Sequence, residues 1–174
     1  TCMLRRSGDV RCWGASAHGR ATGAAVHARA AAVIDVEHAV ELAAGRDHAC
    51  ALRRTGGVTC WGANAAGQLG AATFGSGGAA HVAPGITDAL AISAGGAHTC
   101  VAMRDHTVLC WGLNRFGQLG NGKTEEPPTG PSAKSRGGEA EAHGRSAPRS
   151  PAQAAGLADV VRLSLGGFHS CAVT

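Results

Sequence analysis

The sequence has no tyrosine, three tryptophans and three phenylalanines, and aromatics make up 3% of its 174 residues. A chain this size suits one domain, and such a domain builds its interior from large apolar groups, whose burial contributes roughly 25 cal/mol per Å². Here 36 alanines and 27 glycines take 63 positions. One thick core is therefore excluded, and the interior is expected to be thin and layered or shared with something else. Charge is sparse too, at 16% charged residues and a net charge of +4. That is too dilute for a nucleic-acid footprint, which gathers Lys and Arg on one face, so nucleic-acid binding is not expected. No apolar run approaches the roughly 20 residues that cross a bilayer as a helix, and no membrane span is expected. The first residue is Thr1, so the natural start is expected upstream, and a signal peptide is neither read nor excluded.

Cysteine is the exception, with seven copies. Cys2 and Cys12, Cys50 and Cys60, and Cys100 and Cys110 are each ten apart, and Cys171 stands alone. Each second cysteine opens one triplet, Cys12-Trp13-Gly14, Cys60-Trp61-Gly62 and Cys110-Trp111-Gly112, which uses every tryptophan in the chain. Asn64 and Gly67-Gln68-Leu69-Gly70 follow the second triplet, and Asn114 and Gly117-Gln118-Leu119-Gly120 follow the third. In the first copy these places hold Ser16, Gly19, Arg20, Ala21 and Thr22. Upstream, Gly45, His48 and Cys50 match Gly95, His98 and Cys100, and then Gly166, His169 and Cys171. Such self-similarity marks a repeat architecture.

Successive first cysteines are 48, 50 and 71 positions apart. The units run roughly 1–44, 45–94 and 95–165, with the start of another at 166–174. The surplus in the last interval falls near 123–153, which holds five of the six prolines. A segment of that composition buries too little apolar surface to offset its ordering entropy, so an inserted flexible loop is expected there. Val40 and Leu42, Leu90 and Ile92, and Val161 and Leu163 alternate with small or polar residues, the period of a half-buried strand.

Setting Cys50 opposite Cys60 gives a hairpin whose loop is Arg54-Thr55-Gly56, with glycine at the third place, where a left-handed backbone is wanted. Arg6-Ser7-Gly8 fits the first hairpin in the same register. The third loop reads Arg104-Asp105-His106, and histidine tolerates the left-handed region better than most residues. Directly opposed residues have Cβ atoms roughly 4.5–5.5 Å apart and a disulfide prefers about 3.5–4.5 Å. Cys2, Cys12, Cys50, Cys60, Cys100 and Cys110 are thus candidates for three cross-strand disulfides, or for small buried thiols packed in the sheet. A metal reading would use His48, Cys50 and Cys60, but zinc favours cysteines two to four residues apart and no further ligand completes the set. No metal and no cofactor is expected. His48, His98 and His169 are read instead as bonding a neighbouring backbone group and locking one unit to the next. Trp13, Trp61 and Trp111 are expected as anchors between adjacent sheets, with Leu69 and Leu119 turned into the core.

His-x-Cys-Ala-Leu followed by Cys-Trp-Gly-x-Asn-x-x-Gly-Gln-Leu-Gly resembles the regulator of chromosome condensation repeat. The match is close over 45–70 and 95–122, partial in the first unit, and opens again at 166–173. The resemblance implies an all-β fold of four-stranded blades of about 50 residues, closing into a seven-bladed propeller. This chain would hold three to three and a half blades of it. It resembles in particular the bacterial Cys-rich branch, whose members often occur in exported or surface proteins.

A ring of seven such units needs roughly 350 residues, so the chain is expected to be part of a larger propeller that self-associates or is completed by another chain. Function is read as a non-catalytic module for protein–protein interaction, its partner unidentified. The alternatives are guanine-nucleotide exchange, the activity of the best-known family member, and a decayed or truncated product without activity. No catalytic residue is proposed: there is no Gly-x-Ser-x-Gly and no His-Glu-x-x-His, and the glycine-rich runs open no convincing helix for phosphate binding. Oxidised cysteine pairs would place the protein in an exported compartment or at the cell surface.

Overall fold

A computed structural model describes residues 1–15, 26–33, 36–70, 77–124 and 151–174. Thirteen strands and no helix occur among them. The first sheet has the order β1-β2-β3, from β1 (Cys2–Leu4), β2 (Val10–Ala15) and β3 (Val26–Ala32). The second is β4-β5-β6-β7, from β4 (Ala39–Ala44), β5 (His48–Arg53), β6 (Val58–Gly62) and β7 (Gly77–Val82). β8 (Ala89–Ala94), β9 (His98–Met103), β10 (Val108–Gly112) and β11 (Ala152–Gln153) form the third, in sequence order. β12 (Arg162–Leu165) and β13 (Ser170–Val173) form a two-stranded fourth sheet. Every pairing is antiparallel. β4 packs beside β8 and β8 beside β12, which makes these the inner strands of a partial β-propeller. The loop expected at 123–153 falls, over 125–150, outside the described residues, as does the first unit's stretch 16–22.

The hairpin tips fix the register. Gly56 donates to the Arg53 carbonyl and Arg53 to the Gly57 carbonyl, closing a three-residue loop. Its third residue is left-handed, at φ 83° for Gly56, 89° for Gly8 and 67° for His106. Counting back from the bonded pair Arg53/Gly57 puts Cys50 and Cys60 at a site without mutual ladder bonds, where Cα atoms come closest. Their Cα separation is 4.0 Å, and it is 4.1 Å for both Cys2/Cys12 and Cys100/Cys110. All three pairs lie at disulfide distance, and Cys171 is free and exposed. Past each pair the triplet glycine bends the strand: Gly14, Gly62 and Gly112 have φ of 102°, 109° and 103°. The ladder slips at that point in the first two sheets, as in a bulge built on left-handed glycine.

The core is layered between sheets. Trp61 packs with Val10, Cys12, Val33 and Val36 of the first unit. Trp111 packs with Cys50, Cys60, Leu52 and Leu69 of the second. Leu119, Cys100 and Cys110 pack with Leu163 and Leu165 of the fourth sheet and with Leu157 of the link into it. Trp61 and Trp111 are fully buried. Trp13 is only half-buried, because no neighbouring sheet covers its side of the first sheet among the described residues.

Candidate functional site

The loop after each triplet is held by its own side chains. Asn64 Oδ1 accepts from the Leu69 amide at 3.0 Å, and Asn114 Oδ1 from the Leu119 amide at 3.0 Å. Gln68 Oε1 accepts from the Ala66 amide at 2.9 Å, and Gln118 Oε1 from the Phe116 amide at 2.8 Å. These bonds turn Leu69 and Leu119 inward, each 1% exposed.

The same loops fasten one sheet to the next. The Thr99 hydroxyl donates to the Gln68 carbonyl at 3.0 Å and lies 2.9 Å from His48 Nε2. A hydroxyl has one proton to give, so Thr99 must accept from His48, whose Nε2 carries the hydrogen. The relay repeats one sheet on. Ser170 donates to the Gln118 carbonyl at 2.7 Å and lies 3.0 Å from His98 Nε2. The histidines thus link units through a hydroxyl, and His98 also bonds the His169 backbone one unit on. Trp111 Nε1 adds a third bond across the seam, donating to the Gln68 carbonyl at 2.9 Å. His169 makes no such clamp among the described residues; it sits exposed on the open side of the fourth sheet.

Close backbone approach explains the glycines before each histidine. A Cβ on Gly95 would strike the His98 ring and lie 2.5 Å from the Gly166 carbonyl. One on Gly45 would strike the His48 ring and the Gly95 carbonyl.

Three titratable groups depart from their ordinary values. Burial pushes the His98 imidazole down to about 4, so it is neutral in the folded chain. Burial raises the Glu41 carboxyl, opposed by the Ile92 amide, which donates to it at 3.2 Å from the neighbouring inner strand. The Asp105 carboxyl is lowered by the Thr107 hydroxyl and amide, at 2.6 Å and 3.0 Å. None converges with a nucleophile, and no group of three metal-ligating side chains occurs among the described residues.

Two loop faces remain. The lower face carries the hairpin tips and the links into the next sheet. There Arg54 donates to the His38 carbonyl, Arg104 to the Asp88 carbonyl, and His106 pairs with Asp159 at 3.1 Å. An open cleft of about 340 Å³ on this face is lined by Glu37, His38, Arg53 and Thr55. The upper face carries the Asn-x-x-Gly-Gln-Leu-Gly loops and the turns before each histidine, and there Phe116 and Phe168 meet.

With this geometry in hand, comparison with known proteins is decisive. Profiles of the regulator of chromosome condensation (RCC1) repeat match residues 39–68 and 90–118, and a further one matches 105–173. The chain belongs to the RCC1 repeat family. Its fold is similar to that of Prp20p from Saccharomyces cerevisiae, at a TM-score of 0.75 and 22% identity, covering 99% of this chain and 39% of that one. Yeast RCC1 (Prp20) in complex with Kap60 gives 0.73 and 23% over 99% and 37% of the two chains. Human WBSCR16 gives 0.64 and 17% over 99% and 55%. The RCC1 repeats here thus span about two fifths of the yeast propeller's length. No curated protein sequence gives a significant match. No helix among the described residues is long and apolar enough to cross a membrane.

Proposed function

We propose that this chain is a non-catalytic repeat module for protein–protein interaction and one part of a larger propeller. The observation that carries the reading is where the repeated polar side chains go. His48, His98, Asn64, Asn114, Gln68 and Gln118 all bond partners inside the array. The repeat thus builds the scaffold and leaves recognition to the loop faces. Prp20p, similar in fold, binds Gsp1p and histones, and yeast RCC1 was solved with Kap60 bound; these relatives support a protein partner. The three cysteine pairs support an exported or cell-surface setting, because disulfides persist in oxidising compartments.

Two measurements test the proposal. Added to a small GTPase loaded with labelled guanine nucleotide, the chain is expected to leave release at its intrinsic rate; acceleration would assign exchange instead. In analytical ultracentrifugation the isolated chain is expected to self-associate through its uncovered sheets. A sharp monomer with a cooperative melt would sink the reading as part of a ring.

A further inference from the structure

The sequence contains three phenylalanines, and two of them lie on the surface in contact. Phe116 and Phe168 are 62% and 60% exposed, and their rings meet edge to face with centroids 5.4 Å apart. They come from successive units: Phe116 from the loop after β10 and Phe168 from the turn between β12 and β13.

The scaffold does not require them. Phe116 occupies the place of Ala66, since each donates its amide to the loop glutamine two residues on. Phe168 occupies the place of Ala97, one residue before the histidine, in turns closed alike by Gly166 donating to His169 and Gly95 to His98. One seam of the propeller is therefore complete with alanine at both places, and the next carries phenylalanine at both. In a chain so poor in large side chains, two bulky groups left in water at matched positions have a use outside the fold.

Charge at the same spot has changed sign of use as well. Arg115 stands where the preceding unit has Ala65, and its guanidinium lies 5.9 Å from the Phe116 ring centroid. Exposed Lys123 is fixed to the same loop, its carbonyl accepting from Asn114 Nδ2 at 2.9 Å. Among the described residues, the upper-face loops of the third and fourth units carry no carboxylate. We infer that Phe116, Phe168, Arg115 and Lys123 form a docking surface for an acidic peptide segment bearing an aromatic or aliphatic side chain. The apolar group would cover the paired rings while a carboxylate meets the cations, where it gains a charge-assisted bond. This inference rests on the reading of the chain as an interaction module.

The test is selection from a phage-displayed random peptide library on the whole chain, followed by fluorescence anisotropy with the enriched peptides. Enriched sequences are expected to place Asp or Glu beside an aromatic or aliphatic residue. Phe116→Ala with Phe168→Ala, which restores what the preceding seam carries, is expected to melt like the parent and to bind at least about tenfold more weakly. Arg115→Glu keeps the test sound if the alanine pair disturbs folding; its side chain is exposed, and the change is expected to abolish binding of the acidic peptides. Enriched peptides without carboxylates, or peptides that bind these variants undiminished, would overturn the docking surface and leave the broader module standing. If no peptide is enriched, both readings fall.

Discussion

His48 Nε2 lies 2.9 Å from the hydroxyl of Thr99, a residue 51 positions later on the facing sheet, and that hydroxyl in turn donates a hydrogen bond to the Gln68 carbonyl. Two groups buried between sheets, the His48 ring and the Gln68 carbonyl, share this one hydroxyl. Thr99→Ala would remove the acceptor from His48 Nε2 and one of the two donors to the Gln68 carbonyl, which Trp111 Nε1 still serves, at a cost of about 1–3 kcal/mol. Urea unfolding is expected to show that loss, with Thr99→Ser recovering most of it, since serine serves the same role at Ser170. Equal loss in both variants would show that methyl packing, not the relay, is what matters.

The His98 imidazole is held neutral by burial, at about 4 against an ordinary 6.5. The unfolded chain therefore binds a proton that the folded chain refuses, between those two values. This contribution to stability is complete above pH 6.5 and is lost as the pH falls toward 4. Denaturation midpoints measured down that range are expected to drop more steeply for the parent chain than for His98→Gln. Parallel slopes would contradict the assignment.

Each cysteine pair closes a ten-residue separation, and in the chain-entropy account such a loop contributes about 2–3 kcal/mol per bridge. Alkylation without reductant, read by mass, is expected to label Cys171 alone; with reductant, all seven cysteines. Cys50→Ser with Cys60→Ser is expected to lower stability by about that amount. Seven reactive thiols in the untreated protein would instead favour packed thiols and remove the support for export.

The glycines before each histidine differ with whether a neighbouring sheet covers them. Gly95→Ala drives a Cβ into the His98 ring and the Gly166 backbone, whereas one on Gly167 meets nothing within 4 Å. Gly95→Ala is expected to cost several kcal/mol, as overpacking against unyielding backbone does, and Gly167→Ala to stay within about 0.5 kcal/mol. Thermal melts of the two variants, run side by side, check the contrast.

Much of this arrangement is local and so was legible in the sequence. The hairpin register follows from the ten-residue cysteine spacing and the turn chemistry, and His106 takes the left-handed conformation that Gly8 and Gly56 take. The sheet phase was harder to read: the motif opens at Gly45, but the sheet begins earlier, at Ala39, with a first strand, Ala-Val-Glu-Leu-Ala-Ala, that holds none of the repeated motif residues. The clamp was visible only as a histidine in need of a partner, since that partner is a hydroxyl on another sheet, and Ala49, the equivalent position one unit earlier, has none. Phe116 and Phe168 carry no mark of the repeat, because they stand at places that its repeated residues do not occupy. Asking where successive units differ would have found them, through Ala66 against Phe116 and Ala97 against Phe168.

The cysteine pairs all lie inside sheets, and no disulfide crosses from one sheet to the next among the described residues. Toughness is therefore unevenly distributed. Load placed across the stack meets sulfur bridges within each blade, but only side-chain packing and a few shared protons at the seams. Under tension the array should part like tiles from mortar, blade from blade, with each hairpin still fastened.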